Sequence, residues 1–135
     1  MSGEAGSLFA NEAFYQAFRT QDLAAMDQVW ARHSRVACLH PGWPPLTSRA
    51  EIMESWKGIF SNPEAPDIAC RGAAAFVNGQ QSFVVCYEVF GTGLLAATNI
   101  FVMEGGVWKM VHHQAGPCSL PPGGLPAEPE RPPMQ

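Results

Sequence analysis

The chain has 135 residues and a mass of 14.6 kDa, the length of one domain. Hydrophobic residues make up 47% and charged residues 15%, which predicts a packed core and excludes a disordered chain. The net charge of -4 argues against a basic nucleic-acid grip or a polybasic membrane surface, so neither partner is expected.

No run approaches the roughly 18 apolar residues of a membrane span. Residues 1–10 carry Glu4 and no Lys or Arg, unlike a secretory signal. Cys38, Cys70, Cys86 and Cys118 form no C-x-x-C pair. Free thiols in a reducing cytosol are the expectation, hence a cytoplasmic location.

In residues 7–20, Ala10, Phe14 and Phe18 recur at helical spacing, and Ser7 can cap the start. Asp22 is a second N-cap, followed by Leu23, Met26 and Trp30 at i, i+3 and i+7. A short strand is expected at 35–40, closed by Pro41-Gly42. Ser48-Arg49-Ala50-Glu51 fits a capping box, and the third helix carries Ile52, Trp56, Ile59 and Phe60 on one stripe. Residues 70–77 end at Asn78-Gly79, a hairpin turn. Residues 81–90, 94–103 and 107–115 then read as strands, separated by Gly91-Thr92-Gly93 and Glu104-Gly105-Gly106. Helices followed by a meander predict an α+β fold, with three N-terminal helices packed on a curved antiparallel sheet. Seven of the twelve prolines fall in the last twenty residues. This divides the chain into a domain at 7–116 and a proline-rich C-terminal tail at 117–135.

The order of these strings resembles the NTF2-like, or SnoaL-like, superfamily, a cone-shaped α+β fold. Asn11-Glu12-Ala13-Phe14-Tyr15 with Phe18 and Asp22 resembles its first helix pair. Ser48-Arg49-Ala50-Glu51-Ile52 with Ser55-Trp56 resembles its third helix. Thr98-Asn99-Ile100-Phe101, and then Gly106-Val107-Trp108 running on to His112-His113, resemble its last hairpin. The calcium/calmodulin-dependent kinase II association-domain type is the most similar in flavour. That resemblance implies a ligand pocket and self-assembly. Pocket arginines of that type match Val89, Asn99 and Ala115 here, so an anionic ligand is not implied.

Strand alternation and this match predict which side chains meet. Tyr87, Asn99 and His113 are expected to line one cavity with His40 and Trp43, and Tyr15 to reach in from the first helix. The plainer alternative makes Tyr87 and Trp43 core aromatics and His113 a satisfied core histidine. Asn99 in an apolar strand needs a partner, because a buried unpaired polar group costs about 1–3 kcal/mol. Cys38-x-His40 with His113 lacks the tight paired spacings of zinc sites, so no metal is expected, and no sequence motif calls for a cofactor.

Two functional readings follow. The first is a homodimer that binds a small, largely apolar molecule in its cone, because alternation places no carboxylate there and turns Glu88 to the other face. The second is an enzyme of the isomerase or dehydratase type, with His113 or His40 as base and Tyr87 and Asn99 polarising a carbonyl. A histidine pKa of about 6.5 suits that task. A pure interaction protein is a third. The dimer is expected through the outer sheet face, with Cys86, Ile100, Trp108 and Met110 in the contact.

Overall fold

The computed structural model describes residues 3–127. Helix α1 (Gly3–Thr20) begins before the expected cap at Ser7. Ser7 lies inside the helix, buried, with its Oγ 2.7 Å from Ser82 Oγ, so it fastens the helix to the sheet instead of capping it. The chain reverses at Gln21, which has a φ of 55°. Helix α2 (Leu23–Val29) then starts where the Asp22 side chain accepts from the Ala25 N–H at 3.0 Å. Helix α3 (Arg49–Ser61) starts as its capping box predicts, with Glu51 N–H donating to Ser48 Oγ at 3.1 Å. Its first residue, Arg49, reaches back to the end of α2. The guanidinium donates to Asp27 Oδ1 at 2.8 Å and to the carbonyls of Asp27, Trp30 and Ala31. These are the groups a helix end leaves without partners. The Arg49 bond, reinforced by Arg32, holds the Asp27 carboxyl below its ordinary pKa.

The sheet contains β1 (Ala37–Leu39), β2 (Ala69–Asn78), β3 (Gln81–Phe90), β4 (Gly93–Glu104) and β5 (Val107–Pro117), in the order β1-β5-β4-β3-β2. The last four form the expected antiparallel meander, while β1 joins parallel to β5, with Cys38 opposite His113. The three helices pack on one face, and the architecture is α+β with an NTF2-like arrangement. Phe14, Phe18 and Trp56 meet edge to face over the sheet, with centroids 5.0–6.2 Å apart.

Two details of register correct the sequence reading. The break at Gly91-Thr92-Gly93 reads as a three-residue turn, which would put Tyr87 and Asn99 on one face. The turn holds two residues, because Phe90 pairs with Gly93. A slip of one residue sends every side chain of a strand to the other face. Val84, Cys86 and Glu88 therefore lie opposite Asn99, Ala97 and Leu95 and face the helices, while Phe83, Val85, Tyr87 and Val89 face away. The Phe90 ring lies in the space that a Cβ at residue 93 would need, so a side chain there would have to displace that ring.

The second detail is a bulge in β5. Phe101 pairs with Met110 but Ile100 pairs with His112, leaving Val111 over. Trp108 and Met110 thus share the inner face with His113 and Ala115. Trp108, Met110 and Cys86, expected on the outer face, are buried in the core, and of that set only Ile100 stays outside.

Strand β5 runs to Pro117, one residue past the expected domain limit. Residues 118–127 form no helix or strand. They return to β2, where Arg71 donates to the Pro126 carbonyl and the Pro126 ring lies against Gly72. The rest of the expected tail, 128–135, lies outside the described residues. Among the described residues no helix is long and apolar enough to cross a membrane.

Candidate functional site

Ser7, Asn11 and Tyr15 recur at i, i+4 and i+8 on the buried stripe of α1. Each meets a polar side chain of the sheet, as buried polar groups must. Ser7 meets Ser82; Asn11 Oδ1 accepts from Asn99 Nδ2 at 2.8 Å; and Tyr15 donates its hydroxyl proton to Glu88 Oε2 at 2.6 Å. Asn99 Nδ2 also donates to the Tyr15 oxygen at 3.1 Å. Since Asn99 spends its amide N–H groups on α1, its Oδ1 is the acceptor for His113 Nδ1 at 2.6 Å. This network assigns the His113 proton to Nδ1 and leaves a lone pair on Nε2. Nε2 stands 3.9 Å from Glu88 Oε2.

Next to this cluster, His40 Nε2 lies 2.9 Å from Ser55 Oγ. The Ser55 hydroxyl donates to the Ile52 carbonyl at 2.6 Å, so His40 carries its proton on Nε2, and its Nδ1 faces the Cys38 thiol at 3.9 Å. The His40 and His113 rings are 6.3 Å apart, and the Trp56 ring lies 4.8 Å from the first and 6.2 Å from the second.

Burial sets the protonation states. It holds His113 down at about 3 and His40 at about 4, so both rings are neutral. It pushes Glu88 up to about 7, against the opposing pull of the Tyr15 hydrogen bond. The approach of Glu88 to His113 is therefore not an ion pair at neutral pH: a carboxyl poised to give or take a proton faces a neutral nitrogen. Burial, and after it the Glu88 charge, raises the Tyr15 hydroxyl well above its ordinary value and keeps it a donor. Burial also pushes the Cys38 thiol up to about 12, which ill suits it to bind metal as thiolate. Among the described residues, no three His, Cys, Asp or Glu side chains are grouped to hold a metal ion.

Of the residues expected in the site, Tyr15, His40, Asn99 and His113 come together. Trp43 sits at the edge, 46% exposed, its ring 4.8 Å from His40. Tyr87 is on the opposite face of the sheet and belongs to no part of this cluster. The sequence reading missed Glu88, Asn11 and Ser55, and took Trp56 as core alone. The i, i+4 spacing of Asn11 and Tyr15 was a signal for Asn11, whereas the face of Glu88 depends on a turn length that the Gly-Thr-Gly string leaves open.

The described cavity lies elsewhere. It measures about 820 Å³, runs between α1, α2 and the tips of the hairpins, and is walled by Phe9, Ala13, Val29, Val77, Met103 and Trp108. None of the expected site residues lines it.

Residues 9–118 match the SnoaL-like domain. The chain belongs to this family. The SnoaL-like chain is 29% identical to a candidate dehydratase of the NTF2-like family from Streptomyces avermitilis, with a TM-score of 0.77 over 85% of this chain and 95% of that one. It is also 29% identical to a candidate calcium/calmodulin-dependent protein kinase type II association domain from Thiobacillus denitrificans, with a TM-score of 0.69 over 82% and 93%. F-box protein SKIP8 of Arabidopsis thaliana is 25% identical over 107 residues, 78% of this chain. The SnoaL-like chain spans 46% of the length of that protein.

Proposed function

We propose that this SnoaL-like protein is a proton-transfer enzyme of the isomerase or dehydratase type, acting on a small neutral carbonyl compound with Glu88 as its acid–base group. The observation that carries the reading is Glu88 itself. It is buried on the concave face between the Tyr15 hydroxyl and His113 Nε2, with its pKa near neutrality, where a carboxyl both takes and returns protons. The Glu88 carboxylate removes a proton from the carbon beside the carbonyl; the C–H electron pair moves onto the carbonyl oxygen as an enolate. Return of the proton to a different carbon completes an isomerisation. Tyr15 and Asn99 fix the carboxyl and the His113 ring in place. Trp43, exposed and touching His40, marks the way in from solvent, on a turn that Gly42 forms at a φ of 81°.

A panel of cyclic β,γ-unsaturated ketones tests this, with formation of the conjugated enone followed by ultraviolet absorbance. Wild type turns over at least one of them and Glu88→Gln loses the activity. Equal rates for the two proteins would end the proposal.

The cavity of about 820 Å³ favours a second reading, binding of a small apolar molecule without chemistry. Mass spectrometry of untreated protein distinguishes them: a co-purified apolar compound, displaced by Ala13→Trp but not affected by Glu88→Gln, supports binding. In either reading we propose that a second copy covers the outer sheet face; the four free thiols are in keeping with a reducing, cytoplasmic setting.

A further inference from the structure

We infer that the Trp56 indole N–H is the donor that receives the carbonyl oxygen of the substrate, so the site selects small neutral ketones and aldehydes over hydrocarbons and carboxylates. This rests on the proton-transfer reading.

Trp56 is fully buried, and its Nε1 has no hydrogen-bond acceptor. A buried donor left unpaired costs about 1–3 kcal/mol, so such a group calls for an explanation. Trp30 Nε1 is also unpartnered, but it is the Trp56 ring that lies among the site residues, against His40, Phe14 and His113.

The other donors around it are spent. The Tyr15 hydroxyl is on Glu88, the Asn99 amide on Asn11 and Tyr15, and His113 Nδ1 on Asn99. His40 Nε2 is on Ser55, and the Ser55 hydroxyl on the Ile52 carbonyl. His40 Nδ1 has the Cys38 thiol at 3.9 Å. What stays open among these buried groups is one donor, Trp56 Nε1–H, and one ring acceptor, His113 Nε2. A carbonyl oxygen can only accept, so with Glu88 acting as the carboxylate base the Trp56 N–H is the buried donor left for it, while Trp43 stands exposed at the edge. A carboxylate would meet no cation there and would face Glu88. As the enolate forms, charge gathers on that oxygen, and a fixed N–H in a dry site stabilises it more than it stabilises the ground state.

The test uses the full chain, ¹⁵N-labelled, with cyclohexanone and methylenecyclohexane as probes of equal shape, only the first bearing oxygen. The indole N–H signal of Trp56 is assigned with Trp56→Phe, or by its contacts to the His113 ring if that variant does not fold. Cyclohexanone moves this signal downfield, methylenecyclohexane does not, and Trp56→Phe weakens cyclohexanone binding by about tenfold, the worth of one hydrogen bond. Equal shifts with both probes would overturn the inference. If cyclohexanone moves the His113 and Asn99 signals but not the Trp56 indole, the inference falls and the proton-transfer reading stands. If it moves none of them, both fall.

Discussion

Tyr15 on α1 and Glu88 on β3 share a hydrogen bond of 2.6 Å whose direction is fixed. Asn99 donates to the same hydroxyl oxygen, so the Tyr15 proton has to lie toward the carboxylate. The bond favours the charged form of Glu88, while burial favours the neutral form and wins. Tyr15→Phe removes the opposing pull and shifts the Glu88 pKa further up. A ¹³C titration of the Glu88 carboxyl measures it; a pKa that falls would contradict this geometry.

The same groups set the acid stability of the fold. Glu88 has a folded pKa of about 7 against 4.5 unfolded, so it contributes stability that is full below 4.5 and lost as the pH rises through 7. His40 and His113, at about 4 and 3 against 6.5 unfolded, contribute stability present above 6.5 and lost as the pH falls toward those values. Between pH 4.5 and 6.5 the terms oppose each other, with two histidines against one carboxyl. Glu88→Gln removes the carboxyl term, so stability falls more steeply with acid, by about 1.4 kcal/mol per pH unit, the value of one proton. Urea unfolding at a series of pH values gives the slope, and an unchanged slope would refute the assignment.

Asn99 joins α1 to β5 through Asn11, Tyr15 and His113. Asn99→Leu keeps the volume and leaves three buried groups short of a partner. The expected loss is about 3 kcal/mol or more in urea unfolding, since each stranded group costs about 1–3 kcal/mol. A loss below about 1 kcal/mol would mean that the seam rearranges freely.

Arg49 was legible in the sequence only as the residue after a cap. Its bonds to the Asp27 carboxylate and to the carbonyls of Asp27, Trp30 and Ala31 predict a loss of about 1–2 kcal/mol for Arg49→Ala, and less for Arg32→Ala, because the Arg32 side chain is itself more open to water and bonds Asp27 alone. Thermal unfolding of the two variants ranks them.

These cases mark what the sequence could and could not reveal. The three helices, the meander and the family were readable because caps, helical periods and glycine turns are local signals. The faces of β3 were not, because a face depends on turn length and the Gly-Thr-Gly string permits two lengths. That single residue moved Tyr87 out and Glu88 in. The bulge at Val111 likewise depends on how two strands pack, which no local pattern records. That Asn99 has a buried partner, His113, was readable, because an Asn in an apolar strand demands one whatever the register.

Register also decides where a second copy can bind. The outer face presents Phe76, 47% exposed and stacked on Phe83, and Val85, 38% exposed, with Tyr87, Ile100 and Val102 half-buried around them. The four long strands, of ten to twelve residues, are about 33–40 Å long, and spaced by about 4.8 Å they make a face of roughly 600–750 Å², close to the ~800 Å² per partner of a stable interface. The protein is therefore expected to sediment at about twice its 14.6 kDa at micromolar concentration. Val85→Glu puts a charge in the centre of that face and should give a folded monomer with unchanged circular dichroism. Trp108→Glu, by contrast, buries a charge under α1 and α2 and should unfold the chain. A wild type that sediments as a monomer, or a Val85→Glu protein that stays a dimer, would remove the second copy from this face.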